Sequence, residues 1–132
     1  FTEEGPLEDP HYRSTEVRWL TRENAGWVFE LMQQRARSVQ SELGLDSVLR
    51  IVDNIQLSTY YEGDFYDWHT DARALSASVL LSSGFKGGRL EFRERGPLLQ
   101  NAGDCVFFTD QEHRVKRVLS GVRDSLVVWW RK

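Results

Sequence analysis

The chain has 132 residues and a mass of 15.4 kDa, 40% of them hydrophobic and 12% aromatic, enough to bury roughly two thirds of the unfolded surface as one domain over residues 1–132. A net charge of −3 argues against a protein built mainly to grip nucleic acid, and no apolar run approaches the roughly 20 residues of a membrane-spanning helix. The single cysteine, Cys105, excludes an internal disulfide framework and any multi-cysteine zinc module.

Residues 1–15, with Pro6, Pro10 and several acids, read as an extended lead-in, and His11 within it as a surface residue. This stretch lacks the apolar segment of a signal peptide, so the expected location is cytoplasmic, with the start at Phe1 suggesting a processed or truncated chain. Val17, Trp19 and Leu20 suit a short strand. Thr21 or Asn24 then offers an N-cap, with Glu23 near the positive end of a helix over residues 22–43. Val28, Met32, Ala36, Val39 and Leu43 recur at steps of three and four along one face, and Gly44 stands where a C-cap belongs.

Beyond Gly44 the hydrophobic period changes from 3.6 to 2. Segments 48–61, 77–82, 89–93, 103–109, 113–119 and 123–131 are short, rich in Val, Leu and aromatics, and separated by glycines. One helix followed by six or more strands is α+β, mainly β: a jelly-roll core over 48–131 with a helix packed on one sheet. Cys105, beside Val106, Phe107 and Phe108, reads as a core residue. The cluster Arg89, Glu91, Arg93, Glu94 and Arg95 alternates with Leu90 and Phe92 and reads as the solvated side of a strand.

Residues two apart on a strand share a face, so the imidazole and carboxylate of His69-Thr70-Asp71 can converge on one point, with His113 able to complete the set from a facing strand; a satisfied surface pair is the competing reading. Two histidines and one carboxylate are the donor set of non-haem Fe(II) oxygenases, which leave metal positions open for oxygen and a co-substrate. Ten residues beyond His113, Arg123 heads a row with Ser125, Val127 and Trp129. An arginine at the end of an apolar inward row needs an anion, and its planar fork suits a carboxylate with the Ser125 hydroxyl adding a third contact; a structural ion pair is the competing reading.

The stretch Tyr61-Glu62-Gly63-Asp64-Phe65-Tyr66-Asp67-Trp68-His69-Thr70-Asp71 resembles the metal-binding signature of the prolyl 4-hydroxylase-like 2-oxoglutarate/Fe(II) dioxygenases. The middle strands, with Gly87-Gly88-Arg89-Leu90-Glu91-Phe92, and the closing half, from Gly103 through His113 to Gly121-Val122-Arg123-Asp124-Ser125 and Trp129, are similar to that family as well, over roughly residues 55–130. The resemblance implies a double-stranded β-helix supported by the N-terminal helix. His69, Asp71 and His113 would ligate Fe(II), Arg123 would hold the distal carboxylate of 2-oxoglutarate with Ser125, and Tyr61 would contact the co-substrate. Tyr66 and Trp129 would line the substrate pocket, while Tyr60, Trp68 and Trp130 read as packing residues. The strand after His-x-Asp lacks the tyrosine that some prolyl hydroxylases place there.

The implied activity is hydroxylation of an unactivated C–H, first of all in a prolyl residue of a peptide or protein. It consumes O2 and converts 2-oxoglutarate to succinate and CO2, with ascorbate as a candidate reductant. A free amino acid, a small metabolite or an alkylated nucleobase are alternative substrates; the acidic chain and Trp129, where nucleobase-repairing relatives carry a second arginine, argue against the last. A cupin-like jelly roll that binds metal without oxygenase chemistry is the alternative from another class, and Arg123 is the residue it would not need.

Overall fold

The computed structural model describes residues 13–45 and 47–132 in full and the backbone of 2–6. His11 lies outside the described residues, as do residue 1 and the rest of 7–12 in the lead-in. Within that lead-in, Thr2–Pro6 (β1) and Arg13–Ser14 (β2) are strands, and β1 pairs with Glu16–Leu20 (β3).

Helix α1 spans Arg22–Gln40. Thr21 is its N-cap: its hydroxyl accepts from the Asn24 amide, and the Asn24 side chain accepts from the Thr21 amide, so two otherwise orphaned donors are satisfied reciprocally. The helix ends three residues before the expected Leu43. Ser41 caps it, and Gly44 turns the chain at φ 69° with its amide donating to the Ser41 carbonyl. Ala25, Val28, Phe29, Met32 and Ala36 form the buried face; Leu43, past the last helical turn, is exposed.

Ten further strands follow: β4 (Ile55–Tyr60), β5 (Phe65–His69), β6 (Leu75–Leu80), β7 (Lys86–Gly87), β8 (Leu90–Phe92), β9 (Gly96–Pro97), β10 (Cys105–Phe108), β11 (His113–Val115), β12 (Val118–Ser120) and β13 (Arg123–Trp130). They form a six-stranded sheet ordered β1-β3-β4-β13-β6-β10, a five-stranded sheet ordered β2-β5-β11-β8-β9, and the small pair β12-β7. This is the mainly antiparallel double-stranded β-helix with one supporting helix.

Strand β13 lies at the centre of the large sheet, and its alternation organises both faces. Val128 and Trp130 point outward and pack with Ile55, Leu75 and Ala77 against Phe29 and Met32 of the helix. Arg123, Ser125, Val127 and Trp129 point inward, toward the second sheet. Registry carries that orientation to the neighbours: Tyr60 and Ser58 oppose Arg123 and Ser125 from β4, and Ser78 and Leu80 oppose Val127 and Ser125 from β6. A second cluster, with Tyr60, Leu90, Phe92, Phe108, Val115 and Val118, fills part of the space between the sheets.

Three expectations change. Residues 48–54 are not strand: Leu49 and Ile51 are buried against the helix, where Gln33 and Arg22 donate to their carbonyls. Packing under a helix, with only the single bridge of Arg50 to Arg131, produced that apolar alternation. The segment 113–119 is two strands in different sheets, because the chain leaves β8 after Val115 and pairs with β7 from Val118. Cys105 is exposed: it sits on β10, the edge of the large sheet, opposite Val79. The charged cluster does lie on an outer face, where Glu91 pairs with Arg114 at 2.6 Å and Arg93 with Glu112 at 2.5 Å, the two arginines bracketing the Trp68 ring. No described helix is long and apolar enough to cross a membrane.

Trp130, fully buried between helix and sheet, anchors the outer core. Trp130→Ala should lower unfolding free energy by about 3–5 kcal/mol and Thr21→Ala by about 1 kcal/mol, read by chemical denaturation. A Trp130 variant as stable as the parent would contradict this packing.

Candidate active site

Strands β5 and β11 pair antiparallel with His69 directly opposite His113. Each ring is oriented by its own backbone: Nδ1 of His69 donates to the Asp67 carbonyl at 2.7 Å, and Nδ1 of His113 to the Gln111 carbonyl at 2.8 Å. A carbonyl only accepts, so Nδ1 carries the proton and Nε2 is turned inward on both residues. Both Nε2 atoms lie 3.5 Å from Oδ1 of Asp71. Asp71 stands just past the end of β5, not on it, and Ala72 takes φ 54° immediately afterwards. The donor atoms of all three residues fall within 4.8 Å of one another.

Burial penalises the charged imidazole of His69 and lowers its pKa to about 4, so the ring is neutral at pH 7. Burial alone would raise the Asp71 carboxyl, but the His113, His69 and Trp129 side chains facing it outweigh burial and hold the group below its ordinary value. The neutral His69 Nε2 therefore faces a carboxylate oxygen with no proton between them, and Oδ2 of Asp71 is buried without a hydrogen-bond partner. Two imidazole nitrogens and a carboxylate in this arrangement fit a divalent transition metal.

The same cavity takes in Arg123. This guanidinium is 2% exposed, donates to Oγ of Ser125 at 3.0 Å, and lies 5.3 Å over the Tyr60 ring. Among the described residues no carboxylate is within ion-pair distance of it; burial pulls its pKa down, partly countered by Tyr60 and Asp124. Gly88 makes room for the side chain: a Cβ there would meet Cγ2 of Val118 at 2.9 Å and Cδ of Arg123 at 3.3 Å, at a backbone φ of 62°. A buried arginine with no acid partner among the described residues has the chemistry to take an anion.

Of the residues expected from sequence, His69, Asp71, His113, Arg123, Ser125, Tyr66 and Trp129 line this one cavity. Tyr61 does not. It is 46% exposed and its hydroxyl reaches Glu16, because registry with Arg123 puts Tyr60 on the inner face of β4 and turns the next residue outward. Tyr60, expected as packing, occupies the place beside the arginine. Tyr66 stacks on His69 with ring centroids 3.6 Å apart, although the two are three residues apart on a strand. An irregularity in the β5–β11 pairing, where the three residues 113–115 of β11 face the four residues 66–69 of β5, brings both to the same face. Two residues were missed by the sequence reading: Gln56 on β4 and Arg13 on β2, the latter hidden in a polar lead-in with no apolar pattern around it. Indole Nε1 of Trp129 is buried without a partner and lies near enough to Asp71 to help hold that carboxyl low.

The metal-free protein should lose stability as pH falls. His69 has a folded pKa near 4 against 6.5 for the free side chain, so its contribution is complete above pH 6.5 and is lost as pH falls toward 4, by roughly 3 kcal/mol at most. Asp71, also lowered, adds to the loss below its ordinary value of 3.8. Thermal melts of metal-free protein from pH 7 to 4.5 should show a falling midpoint, flattened by His69→Asn; equal slopes in both proteins would contradict the burial assigned to His69.

Residues 55–131, more than half of the chain, match the sequence profile of the 2OG-Fe(II) oxygenase superfamily. A comparison with curated proteins found no match. Among solved structures, the chain is similar to a prolyl-4-hydroxylase from Pseudomonas putida, with TM-score 0.78 and 23% identity over 98% of this chain and 77% of the other. It is similar to the viral collagen prolyl hydroxylase of Paramecium Bursaria Chlorella virus-1, with TM-score 0.78 and 18% identity over 89% and 79% of the two chains. A Trichoplax adhaerens prolyl hydroxylase, solved with a hypoxia inducible factor peptide fragment, gives TM-score 0.71 and 17% identity over 95% and 66%. At these identities the structural likeness speaks for the fold; the profile match speaks for the family. Together with two histidines and a carboxylate facing one point, it makes this chain a member of the 2OG-Fe(II) oxygenase superfamily, an enzyme that uses Fe(II), 2-oxoglutarate and O2.

Proposed function

We propose that the enzyme hydroxylates a prolyl residue in a peptide or protein, with His69, Asp71 and His113 holding the iron and Arg123 holding 2-oxoglutarate. The observation that carries the site assignment is the buried Arg123 without a counter-ion, in the same cavity as the three ligands. The distal carboxylate of the co-substrate supplies that counter-ion, with Ser125 as a second donor and Tyr60 beneath. Bound iron supplies the oxidising chemistry that hydroxylates a C–H while 2-oxoglutarate is decarboxylated to succinate.

The protein's own contribution is placement. The backbone carbonyls of Asp67 and Gln111 fix both imidazoles with Nε2 inward, so the ligand set is organised before metal arrives. Phe92 and Phe108 wall the His113 ring, with centroids 5.7 and 4.7 Å away, and keep water from that side. Tyr66 and Trp129 bound the space left over the metal, the first by stacking on His69 and the second by lining the cavity wall. The prolyl substrate rests on the fold shared with the prolyl hydroxylases and on this aromatic frame, which suits a compact apolar ring.

Anaerobic addition of Fe(II) and 2-oxoglutarate should give a visible metal-to-ligand charge-transfer band. Asp71→Ala should abolish it through loss of metal. Arg123→Ala should retain the metal and weaken 2-oxoglutarate by at least about 2 kcal/mol, roughly thirty-fold. Metal binding without a band, even at high co-substrate, would sink the assignment. Turnover of proline-containing peptides, followed as succinate and a mass gain of one oxygen, tests the substrate.

A further inference from the structure

Arg13 is the second guanidinium in the cavity. It is 8% exposed, donates to Oε1 of Gln56 at 3.1 Å, and lies 4.0 Å over the Tyr66 ring, which is itself stacked on His69. Its Nε is buried without a partner, and among the described residues no carboxylate pairs with it. A neutral glutamine does not compensate a buried cation; a role limited to tying β2 to β4 would be met at lower desolvation cost by an uncharged side chain.

The two arginines serve different ends of the cavity. Arg13 binds at Gln56 and Arg123 lies over Tyr60, four residues further along β4, roughly 13 Å at strand spacing. The charge balance also separates them. Among the described residues, the charged ones lining the cavity are Arg13, Arg123 and Asp71. Divalent iron and dianionic 2-oxoglutarate cancel each other, and Asp71 offsets one arginine, which leaves one positive charge. With 2-oxoglutarate on Arg123, that charge stands on the metal side, beside Tyr66.

We propose that Arg13 binds a carboxylate of the substrate, so that the enzyme prefers a residue bearing a free α-carboxylate, a chain-terminal residue or a free amino acid, over an internal peptide residue. This deepens the hydroxylase reading and rests on it for the place of the co-substrate. The Tyr66 face orients the guanidinium and Gln56 fixes one nitrogen, leaving the remaining donors for two parallel hydrogen bonds to a carboxylate.

The test is calorimetric binding to the anaerobic protein loaded with Fe(II) and 2-oxoglutarate. The probes are N-acetyl amino acids, proline included, each as free acid and as amide. Free acids should bind at least tenfold more tightly than their amides. Arg13→Gln should erase that difference by weakening the acids alone, and Arg13→Lys should keep most of it. Equal affinity of acid and amide in the parent, a preference that survives Arg13→Gln, or no binding by any acid would overturn the proposal. If other acids bind and N-acetylproline does not, the prolyl substrate is wrong and the role of Arg13 stands; if N-acetylproline binds equally as acid and amide, the reverse holds. Should Arg13→Gln fail to fold, the acid–amide difference in the parent and its retention in Arg13→Lys decide.

Discussion

The structure depends on burying charge between two sheets without letting those charges neutralise one another. A carboxylate, two imidazoles and two arginines share one cavity, yet no arginine there pairs with Asp71. Each cation is instead held by a neutral partner: Arg123 by Ser125 and Tyr60, Arg13 by Gln56 and Tyr66. Such an interior is costly when empty of ligand, and the helix-backed outer core supplies what offsets it. The fully buried Val128 and Trp130 alternate along β13 with Arg123, Ser125 and Trp129, so one strand carries both the stabilising face and the functional one.

The histidines show how little side-chain machinery the ligand geometry requires. Direct opposition of His69 and His113 across one antiparallel pair sets their separation, and each is oriented by a carbonyl two residues earlier in its own chain. Burial keeps His69 neutral and leaves an oxygen of Asp71 unsatisfied, so the site is organised toward a cation before one binds.

Much of this was legible in sequence because it follows from period and residue type. The helical face from Val28 to Ala36, the cap at Thr21, the inward row from Arg123 and the His-x-Asp pair all came from spacing. What was not legible depended on pairing between strands distant in sequence. The parity of Tyr60 and Tyr61 is set by pairing with Arg123 of β13, far along the chain; the shared face of Tyr66 and His69 needs an irregularity in the β5–β11 ladder; and Cys105 is exposed on β10, which has no further neighbour among the described residues. Asp71 reached the right place for a different reason than strand alternation, since the strand had already ended. Arg13 carried no local signal, for its meaning arises only when β2 pairs with β5 and sets it against Tyr66.

The most direct test of this division of charge is a crystal structure of the anaerobic protein with Fe(II) and 2-oxoglutarate, with diffraction collected at the iron edge. The expected result is a single iron peak bonded to Nε2 of His69, Nε2 of His113 and the Asp71 carboxylate, with the far carboxylate of 2-oxoglutarate on Arg123 and the guanidinium of Arg13 facing solvent-filled space. Iron bound elsewhere, or 2-oxoglutarate anchored on Arg13 in place of Arg123, would contradict it.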